Sequence, residues 1–65
     1  MTVYPIDMYD KDGNLERIEF FDEITNEFQF QAIWDDRDAQ TYANRQEFRE
    51  WASHMAKQMG FSISL

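Results

Sequence analysis

Sixty-five residues with no cysteine are expected to form one compact acidic domain over 1–65, held by side-chain packing because neither a disulfide nor a Cys/His zinc site is on offer. A net charge of −7, with thirteen carboxylates against six cations, argues against direct nucleic-acid binding. No apolar run approaches the ~18–20 residues of a membrane span, and MTVYPIDMYDKD lacks the basic and apolar regions of a signal peptide, so the expectation is a cytoplasmic protein with no membrane partner.

Tyr4, Ile6 and Met8 alternate with polar or small neighbours, the period of a half-buried strand. Asp10-Lys11-Asp12-Gly13-Asn14 is a turn, and Leu15 to Phe21 reads as a second strand. A two-residue loop at Asp12-Gly13 would set Asp7 opposite Ile18 and Asp10 opposite Leu15, matching charged with apolar positions. A three-residue loop with Gly13 left-handed sets Asp10 opposite Asn14. It pairs Tyr9 with Leu15, Asp7 with Arg17, Ile6 with Ile18 and Tyr4 with Phe20, and this is the predicted register. After a polar connection over 22–27, the segment from Phe28 to Trp34 alternates most clearly, with Phe28, Phe30, Ala32 and Trp34 on one face.

Asp35-Asp36-Arg37-Asp38 ends that strand, and Thr41-Tyr42-Ala43 is a candidate extended piece. Asn44 with Glu47 three residues on makes a capping box, and a helix is predicted from Arg45 to Met59. Its apolar stripe is Phe48, Trp51, Ala52, Met55 and Met59, and Gly60 is the left-handed residue just past its end. Phe61 to Leu65 alternates again as a last short strand.

The order β-β-β-α-β predicts an α+β fold: a small antiparallel β-sheet with one C-terminal helix packed on one face. A helix of that length is roughly 22 Å long and covers one side of the strands only. Tyr4, Ile6, Ile18, Phe20, Phe28, Phe30 and Trp34 are expected beneath it. Val3, Tyr9, Leu15, Phe21 and Ile33, with Asp7, Arg17 and Glu19, are expected on the open face, a mixed apolar and acidic surface suited to contact.

The charge is unevenly placed. Residues 1–38 hold eleven carboxylates against three cations, a net of −8, whereas residues 39–65 carry +1. Such a field steers basic partners onto one side. Over a diameter of roughly 28 Å, duplex DNA holds roughly 16 charges, so this half imitates one side of a duplex at most.

The turn at Asp10, Asp12 and Gly13 is a poor calcium loop, because Met8 falls where the first ligand should be and the flanks are strands. Asp35, Asp36 and Asp38 are solvated carboxylates without a His or Cys partner, better suited to docking than to holding a cation. His54, the only histidine, is a helix-surface residue with no nucleophile placed beside it. No nucleophile–base pair, metal set or glycine-rich phosphate loop is present, so catalysis and cofactors are not expected.

The expected function is a small protein-binding or inhibitory module whose acidic sheet docks on a basic surface, such as the nucleic-acid site of a processing enzyme. The candidate contact residues are Asp7, Tyr9, Glu16, Glu19, Phe21, Trp34, Asp35, Asp36 and Asp38. In size, acidity and lack of cysteine the chain resembles in character the anti-defence and host-takeover proteins of bacteriophages, a resemblance of composition. The alternative is a homodimeric structural or accessory subunit that pairs its open sheet face.

Overall fold

The computed structural model describes residues 1–34 and 45–64, position 45 by its backbone alone. The expected Asp35–Asp38 cluster, the extended piece at 41–43 and the Asn44 cap lie outside the described residues. The fold is α+β, with β1 (Thr2–Tyr9), β2 (Leu15–Asp22), β3 (Phe28–Ile33), α1 (Arg45–Gln58) and β4 (Ser62–Ile63). The strands form one sheet in the order β3-β2-β1-β4. β1, β2 and β3 pair antiparallel, but β4 joins β1 in parallel, so the sheet is mixed rather than wholly antiparallel. The helix explains this: α1 carries the chain back between β3 and β4, which must then run the same way, as β1 also does.

The first hairpin has the predicted three-residue loop. Gly13 has φ +82°, its N–H donates to the Asp10 carbonyl, and the Asp10 N–H donates to the Asn14 carbonyl at 2.9 Å. Tyr9 therefore lies opposite Leu15 as expected, but the register then slips. Glu16 is bulged, so Met8 faces Arg17, Asp7 faces Ile18, Ile6 faces Glu19 and Tyr4 faces Phe21. The expected pairs Asp7–Arg17, Ile6–Ile18 and Tyr4–Phe20 are thus corrected.

The cause is hydrophobic phase. Leu15 and Ile18 are three residues apart, and only an extra residue between them lets both point into the core. On the other side of β2 the β2–β3 ladder runs on in register past Arg17 and Ile33, the Glu16 carbonyl accepting the N–H of Trp34 at 2.9 Å.

The slip exchanges the faces of β1. Val3 and Leu15, expected on the open face, are buried with Ile18, Phe20, Ala32, Phe48, Ala52 and Ala56. Tyr4 and Ile6, expected beneath the helix, pair instead with open-face partners on β2. A second irregularity, between Phe20 and Phe21 where β2 meets β3, turns Phe28 out as well: Phe20 faces Phe30 but Phe21 faces Phe28.

Inside, Phe20 and Phe30 stack at 4.5 Å between centroids, Phe61 stacks on Phe30 at 5.5 Å, and Trp34 meets Phe48 edge-on at 5.1 Å. Pro5, which has no N–H for a ladder, sits past the two residues of β1 that β4 pairs.

The helix presents Phe48, Ala52 and Ala56 to the sheet, with Trp51 packed alongside, whereas Met59 lies beyond its end and is exposed. Gly60 has φ +94°, its N–H donates to the Lys57 carbonyl, and the Phe61 N–H donates to that of Ala56. This paired closure satisfies two end carbonyls and aims Phe61 back at the core.

Candidate functional site

The side of the sheet away from α1 forms a grid of three rungs across β1, β2 and β3. These are Met8–Arg17–Ile33, Ile6–Glu19–Gln31 and Tyr4–Phe21–Phe28. The last rung is aromatic throughout: Tyr4 stacks on Phe21 at 5.8 Å, and Phe28 meets Phe21 edge-on at 6.0 Å. Phe28 and Ile33 are 51% and 53% exposed, well above what a covered face would show. An open apolar face therefore exists, with Phe21, Ile33, Arg17 and Glu19 among its expected members.

Its charge differs from the expectation. Arg17 Nε donates to Glu19 Oε2 at 2.9 Å, and its Nη1 also pairs with Glu16. The grid thus carries one cation and one anion bound to each other. Asp7 lies on the helix side, where Arg49 Nε and Nη2 donate to its Oδ2 at 3.1 and 2.9 Å and the Tyr9 hydroxyl approaches the same oxygen at 3.4 Å. That hydrogen bond from Arg49 to Asp7 raises the guanidinium above its ordinary value.

The candidate contact residues therefore separate. Glu19 and Phe21 share the open face, Glu16 is the bulge beside it, Asp7 and the exposed Tyr9 sit on the helix side, and Trp34 packs against the core. Asp35, Asp36 and Asp38 lie outside the described residues.

Five of the carboxylates without an ion pair among the described residues lie at the ends of the sheet, whereas Glu50, also without one, lies on α1. At one end are Asp10 and Asp12, flanking Lys11 in the β1–β2 turn; at the other are Asp22, the last residue of β2, and Glu23 and Glu27 in the β2–β3 connection. Seven residue steps along β2 separate the two, roughly 23 Å.

Both turns are braced. Asp10 Oδ1 accepts the N–H groups of Asp12 and Asn14, each at 2.9 Å, so it serves its own loop. Asp22 Oδ1 accepts from Ile24 N at 2.8 Å, the Tyr4 hydroxyl donates to Asn26 Oδ1 at 2.7 Å, and Ser64 Oγ donates to Glu23 Oε1 at 3.1 Å. Asn26 holds the left-handed bend at φ 61°. This fixed loop presents Ile24, 89% exposed, between acidic neighbours. Ile24, Glu23 and Glu27 are not among the candidate contact residues of the sequence, where 22–27 reads only as a polar connection; an isoleucine within an acidic turn is the signal that marks the loop.

A shallow groove of about 360 Å³ runs along α1 past Gln46, Arg49, Glu50, Ser53, His54 and Lys57. All six come from one element and carry both signs of charge, so it is helix surface rather than a built pocket. Among the described residues no three His, Cys, Asp or Glu side chains gather to hold a metal ion. None of the described helices is long and apolar enough to cross a membrane. No family model, curated protein or solved structure matches the chain.

Proposed function

We propose that this chain is a non-catalytic protein-binding module that docks on a basic surface of a partner protein through the acidic ends of its sheet. The observation that carries this reading is the partition of its charges. Both arginines with described side chains are bonded to carboxylates of the same molecule, while Asp10, Asp12, Asp22, Glu23 and Glu27 form no ion pair among the described residues. Their field is directed at the two turns and is available to an outside cation. Braced turns lose little freedom on docking, and Ile24 offers an apolar anchor inside the acidic rim.

A partner whose basic groups line a nucleic-acid groove fits this pattern, since the acidic ends lie roughly 23 Å apart on a strand-shaped body. Inhibition of a nucleic-acid-processing enzyme is then the effect of occupying that groove. The composition shared with bacteriophage anti-defence proteins points the same way.

The test is retention of lysate proteins on the immobilised chain and on a variant with Asp10, Asp12, Asp22, Glu23 and Glu27 changed to Asn or Gln. A basic protein should be held by the wild type, released by about 0.5 M salt or by duplex DNA, and lost on the variant. Equal retention on both supports would overturn the reading.

A further inference from the structure

We infer that the open face of the sheet is covered by a second copy of this chain, forming a two-sheet sandwich with the helices outside. Three observations select that occupant, and none depends on the acidic docking reading.

The first is charge. Molecules of net −7 repel one another in most orientations. The grid facing away from α1 is the exception, because Arg17 and Glu19 cancel, and the turn carboxylates lie at the ends of the strands rather than on this face. A basic partner finds no net attraction there, whereas a second copy meets less repulsion than at either acidic end, the remainder coming from the turn carboxylates and the net charge of the two bodies.

The second is self-complementarity. The aromatic rung Tyr4–Phe21–Phe28 and the rung Met8–Arg17–Ile33 are equidistant from the middle rung containing Glu19. A two-fold axis across the strands at the middle rung lays each aromatic rung over the other copy's Met8–Arg17–Ile33 rung. Arg17 then meets the face of Phe21, a cation–π arrangement, and the same patch serves both molecules. Glu19 lies near the axis, but its side chain is already only 16% exposed and that of Arg17 29%, so closing the face removes little further water from the pair.

The third is area. Two strands of eight residues and one of six make a face of roughly 26 by 14 Å, hence roughly 750 Å² of sheet covered by two copies, the size of a weak, transient contact. The open faces of two such sheets pack about 10 Å apart with their strands nearly aligned. A dimer of this size belongs to the weak, transient class. Both acidic ends stay outside the sandwich, so the dimer carries two copies of the docking surface.

Sedimentation equilibrium of the full chain from about 10 μM to 1 mM tests this, bracketing the affinity expected for so small an interface. The mass should rise from 7.9 kDa toward twice that value. Phe21→Asp should raise the dissociation constant by at least about thirty-fold, the effect of losing one interface anchor. Because Phe21 also supports the sheet, Ile33→Lys is the companion variant: its side chain is half exposed in the lone molecule, and it should weaken association while leaving the circular dichroism unchanged. A wild type that stays monomeric at 1 mM overturns the inference. So does a dimer unaffected by both substitutions, which would place the contact elsewhere, such as the edge of β3.

Discussion

At Phe20 the ring is fully buried and lies 4.5 Å from Phe30, so truncation leaves a cavity that the helix and sheet cannot close. Phe20→Ala is expected to remove about 3–5 kcal/mol. A chain of this length has roughly 3–10 kcal/mol in total, so the variant should be largely unfolded at ambient temperature. Phe21 follows it directly, on the opposite face of the same strand, where its contacts are Tyr4 and Phe28 at 5.8 and 6.0 Å. Phe21→Ala should cost about 1 kcal/mol in the monomer, the scale of cross-strand aromatic pairs. Urea denaturation of both variants at a concentration too low for self-association checks the pair; equal losses would mean that the faces are misassigned. Asp7 shows the same rule in polar form. Turned to the helix side by the bulge, it engages Arg49 rather than a partner.

Among the elements, β2 carries the decision about faces. Deleting Glu16 removes the bulged residue yet keeps Leu15, Ile18 and Phe20 on one side, so the chain should fold with Asp7 still opposite Ile18. The Leu15 carbonyl then precedes Arg17 and can take the N–H of Trp34 that the Glu16 carbonyl accepts, so the loss should stay within about 1 kcal/mol, the scale of one hydrogen bond. Deleting Gln31 from β3 has no such escape, because either Phe30 or Trp34 must leave the core, and the variant should be severely destabilised. Cross-strand NOEs and thermal melts on both deletions decide this.

The same strand shows what could be read from the sequence. The turn chemistry around Gly13 placed Tyr9 opposite Leu15 correctly, and Gly60 marked the helix end, because each signal is local. Strict alternation was then carried through Leu15-Glu16-Arg17-Ile18, whose apolar spacing of three already implied an inserted residue. That step put Val3 and Leu15 on the open face and Tyr4 and Ile6 beneath the helix. A one-helix cover predicted that an open face exists; its membership depended on two irregularities, and its charge balance on which carboxylates the arginines chose.

For the molecule entire, the two surfaces respond to salt in opposite directions. The acidic ends act on a partner at a distance, through a field screened over about 10 Å at 0.1 M salt and about 3 Å at 1 M. Docking on a basic surface should therefore weaken at least about ten-fold between 0.02 and 0.5 M NaCl, mostly through slower association. Self-association through the grid has no net attraction to screen, because Arg17 and Glu19 already cancel within each copy. What salt removes there is the repulsion between two bodies of −7, so the dimer should tighten several-fold over the same range. Sedimentation measures the second effect on the pure chain, and salt elution of the captured partner measures the first. Weakening of the dimer by salt would mean that ion pairs hold it, and the apolar grid would lose its role as the contact; salt-insensitive docking would remove the acidic turns from theirs.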